Sequence, residues 1–136
     1  QAYRFLAQRF LSSYELTQKM RRKQIEDPII DRVLERLRDY DYINDERLSG
    51  QVLDYLMKEQ KYGAYMIKQK MKLRGLTVPP EISDYDEVKA AYRVLEKKFC
   101  SILNEDCTPR VKVFNFLKYR GFSTSTIQVV CNDFYE

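Results

Sequence analysis

Residues 71–77 read "MKLRGLT" and residues 117–123 read "LKYRGFS". Both strings run apolar, cation, large, arginine, glycine, apolar, hydroxyl. Residues 20–26, "MRRKQIE", follow a looser version of the same course, with Gln24 in the glycine position. A basic run closed by glycine has the chemistry of a helix C-terminus. Cations favour the negative end of the helix dipole, and glycine enters the left-handed conformation without a Cβ penalty. The alignment stacks Met20, Met71 and Leu117, and four residues earlier Leu16, Ile67 and Val113, as one apolar face. Separations of roughly 50 residues mark a tandem array of supersecondary units.

Upstream of each string the chain offers a helix start. Ser12 and Glu15 form an S-x-x-E capping box, Gly63 takes the same place in the second copy, and Thr108-Pro109 supplies a cap and a first-turn proline in the third. Downstream, after a short turn, Asp27-Pro28, Val78-Pro79 and Thr124-Ser125 open a further helix in register. Ile29, Ile30, Val33, Leu34 and Leu37 give the first of these a helical apolar period, and Ile127, Val129, Val130 and Phe134 the third. The second, "PPEISDY", is expected to be a turn or two, because a second proline fits only a first turn.

An opening helix precedes each middle helix. Ala2, Phe5, Leu6 and Phe10 mark the first. Asn44 caps the second, whose stripe is Leu48, Val52, Tyr55 and Leu56. Val88, Ala91, Tyr92, Leu95 and Phe99 mark the third. No strand-like alternation of useful length occurs. The expected fold is all-α: three tandem three-helix, helix-turn-helix-like repeats at 1–43, 44–85 and 86–136, forming an elongated, curved array.

With 136 residues, 32% charged and 44% apolar, the chain is neither disordered nor membrane-embedded. No apolar run approaches the roughly 20 residues needed to span a bilayer. No signal-peptide pattern is present, so a cytoplasmic protein is expected. The three cysteines form no C-x-x-C pair and read as small buried apolar groups rather than a zinc site or a disulfide framework. Histidine is absent, which removes the commonest general base and every Ser-His or Cys-His nucleophile pair. No phosphate-cradling glycine loop occurs. A non-enzyme with no catalytic residues, cofactor, metal or small-molecule substrate is expected.

The net charge is only +4, yet cations gather on the middle helices. Arg21, Arg22 and Lys23, then Lys70, Lys72 and Arg74, then Lys118 and Arg120 form a candidate partner- or DNA-binding ladder. Duplication of a helix cap would copy the same charges, because cations near a C-terminus stabilise the dipole by about 0.3–1 kcal/mol unaided. Tyr119, Tyr62 and Tyr65 lie among these cations; tyrosine there suits a half-buried position with a wet hydroxyl better than base stacking. Sequence-specific reading of DNA by the third helices is disfavoured. Arg32, Arg36 and Arg38 alternate with Asp31, Glu35 and Asp39, and "STSTIQVVCNDFYE" has no cation. Weak, salt-sensitive, sequence-independent DNA contact through the middle helices stays open, as does a peptide-binding helical scaffold.

The order "A-x-x-F-L-x-x-R-x-x-S-S-x-E-L" over 2–16, "YINDER" at 42–47, "KLRGL", "DEVKAAYRVLEKK" and "NFLKYRGFSTSTIQVV" resembles the RecX family of bacterial regulators across the whole chain. "YINDER" is its most specific part. Gln24 and the short "TVPPEISDY" segment depart from the pattern. The resemblance implies a non-enzymatic, cytoplasmic modulator of RecA, the recombinase that polymerises on single-stranded DNA. Such a protein lies in the helical groove of the RecA filament. There it suppresses ATP hydrolysis, strand exchange and co-protease activity, restraining recombination and the SOS response.

Overall fold

A computed structural model of the chain describes residues 11–99 and 110–135. The expected opening helix over 2–10, the Thr108-Pro109 cap, Cys100 and Cys107 lie outside the described residues. Those described form seven α-helices and one short 3-10 helix, with no strand among them. In chain order they are α1 (Ser13–Arg22), α2 (Asp27–Asp39), α3 (Asp45–Glu59), α4 (Ala64–Leu73), the 3-10 helix Pro80–Asp84, α5 (Glu87–Phe99), α6 (Arg110–Tyr119) and α7 (Thr124–Tyr135). The fold is an all-α repeat fold. Helices α1, α4 and α6 carry the repeated string.

The three helix ends close the same way. The residues at the glycine position take left-handed backbone, with φ 62° at Gln24, 73° at Gly75 and 88° at Gly121. Their N–H groups donate to Arg21, Lys72 and Lys118. The next N–H groups, of Ile25, Leu76 and Phe122, reach back to the carbonyls of Met20, Met71 and Leu117 at 3.2, 3.0 and 3.2 Å. This double bond pattern satisfies carbonyls that a helix end otherwise leaves orphaned. Gln24 adopts the conformation that glycine adopts freely, at a cost of about 1–2 kcal/mol.

The apolar positions fall where the alignment puts them. Leu16, Ile67 and Val113 are buried, and so are Met20, Met71 and Leu117. The described residues group into two compact bodies. One holds those up to Val52 together with Met71–Pro79; the other holds Leu53–Lys70 and those from Pro80 onward. In the first, Leu11, Leu16, Met20, Ile30, Leu34, Leu37 and Ile43 form a core between α1 and α2. In the second, Ala90, Ala91, Val94 and Leu95 of α5 meet Val113 and Leu117 of α6 and Ile127, Val130 and Cys131 of α7, with Phe122 among them.

Three stripes differ from expectation, one of them on α7, where Val129 is exposed while Ile127 and Val130 carry the core face. On α3 Tyr55 is exposed and Leu53 is the buried residue beside Leu48 and Leu56. A tyrosine reads as apolar in a periodicity count but tolerates water through its hydroxyl. On α2 Ile29 is exposed, while Ile30, Leu34 and Leu37 carry the core face. The segment after Pro79 is the single 3-10 turn that its prolines permit.

Candidate functional site

Arg74 and Gly75, which end α4, meet the start of α1. The Ser12 hydroxyl accepts from the Glu15 N–H at 3.0 Å, as the N-cap of α1, and donates to the Arg74 carbonyl. The Arg74 guanidinium donates through Nε to Glu15 Oε1 at 3.0 Å, with the two side chains only 26% and 14% exposed. A Cβ on Gly75 would strike the Cβ and ring of Tyr14. Glycine is needed here twice, for its φ and for the close approach.

Arg120 and Gly121, which end α6, meet the start of α4 in the same manner. The Gly63 N–H donates to the Arg120 carbonyl at 3.0 Å. A Cβ on Gly121 would lie 2.5 Å from Met66 Cβ, and one on Gly63 would overlap the Gly121 carbonyl. The Arg120 guanidinium sits 5.9 Å from the Tyr62 ring centre and 5.2 Å from that of Phe116. It also makes a long hydrogen bond, 3.4 Å, to the Lys61 carbonyl. One joint is therefore built twice: a basic, glycine-stopped helix end seated on the N-terminus of the middle helix one copy earlier. At the corresponding end of α1, Lys23 and Gln24 are exposed, so the φ is required there and the missing Cβ is not.

"YINDER" is a connector of the same kind. Asp41, at φ 58°, ends α2, and the Tyr42 N–H returns to the Leu37 carbonyl at 2.8 Å. Ile43 is buried in the first core. Asn44 Oδ1 caps α3 by accepting the Arg47 N–H at 2.9 Å. Asp45 receives both the N–H and the hydroxyl of Ser13. Arg47 pairs with Asp41 at 2.7 Å, and that contact holds the Asp41 carboxyl below the usual carboxylate range. Asp41, Asn44, Asp45 and Arg47 thus make their contacts within the chain itself, and Glu46 is exposed in the first turn of α3.

The eight ladder cations divide accordingly. Arg74 and Arg120 belong to the joints. Lys70 lies over the Tyr62 ring at 4.5 Å, and Arg21 pairs with Asp27 at 3.2 Å across an exposed turn. Arg22, Lys23, Lys72 and Lys118 are exposed and make no ion pair among the described residues; Lys118 only approaches the Thr124 hydroxyl at 3.4 Å. Beside them stand exposed apolar side chains, Leu73 at 79% and Tyr119 at 82%. Tyr119 and Tyr65 are thus surface rings, against the half-buried placement expected of them, whereas Tyr62 is half-buried. Both exposed rings sit on the outer face of their helix, which an apolar count along the chain does not resolve.

The remaining perturbed groups are structural. Tyr85 donates its hydroxyl to the Tyr62 carbonyl at 2.6 Å, and burial, then Glu87 and Asp86, push its pKa up to about 12. Tyr92 is raised by its hydrogen bond to Asp133, and the Cys131 thiol by burial. No cluster of three metal-ligating side chains forms among the described residues, and no helix there is long and apolar enough to cross a membrane.

Comparison with known proteins bears directly on this architecture. The family model described as RecX, first three-helix domain, matches residues 1–37, and that described as RecX, third three-helix domain, matches residues 84–131. A regulatory protein RecX from Acinetobacter baylyi is 30% identical over 129 residues, covering 93% of this chain and 80% of the relative. One from Chlorobium phaeobacteroides is 29% identical over 130 residues, covering 93% and 86%. The crystal structure of RecX from Lactobacillus salivarius superimposes with a TM-score of 0.74 at 20% identity, over 98% of this chain and 92% of that one. The aligned helix ends, the "YINDER" connector and these matches lead to one conclusion: the chain belongs to the RecX family of regulatory proteins.

Proposed function

We propose that this protein binds RecA and the RecA–single-stranded DNA filament, lying in its helical groove, and inhibits ATP hydrolysis, strand exchange and co-protease activity. Its cellular setting is then the bacterial cytoplasm and its role the restraint of recombination and the SOS response. Membership of the RecX family along nearly the whole chain carries this reading. The physical layout supports it. Cations left exposed at matching ends of α1, α4 and α6 offer a repeated charge to a partner that itself repeats. Arg22, Lys23, Lys72 and Lys118 are the side chains available for that contact. Arg21, Lys70, Arg74 and Arg120 hold the ends in place.

The test adds the folded protein to RecA on single-stranded DNA with ATP and follows hydrolysis and strand exchange. Inhibition at micromolar protein is expected; undiminished turnover contradicts the proposal. A second reading, direct sequence-independent DNA binding, draws on the exposed Tyr119 beside Lys118. DNA titrations across salt, without RecA, separate the two. Tight binding in the absence of RecA, with a steep salt slope, favours the second.

A further inference from the structure

The two joints differ in one respect that bears on binding. In the first body the joint arginine, Arg74, has its carboxylate inside the chain, at Glu15. In the second the residue aligned with Glu15 is Met66, and Arg120 makes no ion pair among the described residues. Arg120 instead borders an open cleft of about 360 Å³, lined with Lys61, Lys97, Lys98, Tyr62 and Phe116 and with no carboxylate in its walls among the described residues. Lys61 is paired with Glu59 at 3.1 Å, but Lys97 and Lys98 stand exposed at the end of α5 and form no ion pair among the described residues.

We propose that this cleft binds an acidic segment of a partner protein, with a carboxylate of that segment meeting Arg120 as Glu15 meets Arg74. The carboxylate is favoured over nucleic acid on two grounds. The first joint shows the ligand that a joint arginine takes. Both rings that line the cleft already carry a cation, Tyr62 with Lys70 at 4.5 Å and Arg120 at 5.9 Å and Phe116 with Arg120 at 5.2 Å, so a stacking base would compete with these contacts. A planar guanidinium supported on two rings is held ready for a fork-shaped acceptor, while Lys97 and Lys98 add charge without demanding geometry. Those lysines also favour the dipole of α5, a role that needs no partner, so the proposal stands on Arg120, which has no carboxylate partner among the described residues. It is independent of the RecA reading.

The experiment uses the whole chain and a short labelled peptide of alternating Glu and Gly, followed by fluorescence anisotropy, with a single-stranded oligonucleotide of equal charge in parallel. Two variants are decisive. Met66→Glu places an internal carboxylate where Glu15 stands in the other joint, and it is expected to weaken the peptide about tenfold or more, the size of one charge-assisted hydrogen bond. Lys97→Glu with Lys98→Glu, at exposed positions that leave folding intact, is expected to do the same. Lys97→Arg with Lys98→Arg, which keeps the charge, is expected to leave peptide affinity within about twofold. Failure of the peptide to bind, peptide binding unchanged by Met66→Glu, or oligonucleotide binding that is tighter and equally sensitive to both variants, overturns the proposal.

Discussion

Gln24, Gly75 and Gly121 share a backbone conformation but not its surroundings, and the difference separates two reasons for glycine. At Gly75 and Gly121 a neighbouring helix start fills the space a Cβ needs; Gln24 is exposed. Replacing Gln24 by glycine is therefore expected to raise stability by about 0.5–1 kcal/mol, the left-handed penalty less glycine's entropy. Gly75→Ala or Gly121→Ala is expected to lower it by more than about 2 kcal/mol, since backbone strain and a steric overlap add. Urea midpoints at constant slope measure both. Equal effects at all three positions would mean that the joints are not close-packed. From the sequence the glycines were legible only as helix stops; that the ends of α4 and α6 are seated on another helix was not. In this chain glycine stands where the helix end is covered and glutamine where it is exposed. Ser12, Tyr14 and Glu15 were read only as the start of a helix, because nothing local to them announces a partner about sixty residues away.

Among the elements, the repeated string has proved to be a seating as much as a surface. Its apolar residues and its caps were readable from local chemistry: Leu16, Ile67 and Val113 are buried, and the double hydrogen-bond pattern closes each middle helix. What periodicity missed was the sense of exposed aromatics, as at Tyr55 and Tyr119, and the use of Arg74 and Arg120 within the chain. The joint of the first body has one residue common to both sides. Ser12 caps α1 and also satisfies the Arg74 carbonyl, and it is fully buried. Ser12→Ala removes a cap, at about 1 kcal/mol, and leaves a carbonyl unsatisfied, at about 1–3 kcal/mol. A loss of about 2–4 kcal/mol is expected in urea unfolding. Combined with Glu15→Gln it should fall short of the sum, because the two share one network. Strict additivity would show that the cap and the joint are separate.

For the molecule as a whole, mild net charge conceals a division of labour. Of 24 cations, some hold helix ends in place and others are left to solvent, and composition counts them alike. The sequence reading grouped eight of them as one ladder because they recur together; only their contacts distinguish Arg74 in its pair from Lys72 in water. Lys97 and Lys98 escaped notice for the converse reason, lying outside the repeated string. In the proposed function the exposed set meets the RecA filament while the joint set maintains the fold. The most direct measurement compares RecA ATP hydrolysis on single-stranded DNA in the presence of the wild-type chain and of the quadruple variant Arg22→Glu, Lys23→Glu, Lys72→Glu, Lys118→Glu. The variant is expected to keep its helical circular dichroism and its urea midpoint and to need at least about tenfold more protein for the same inhibition. Full inhibition by the folded variant, at the wild-type concentration, would contradict the account.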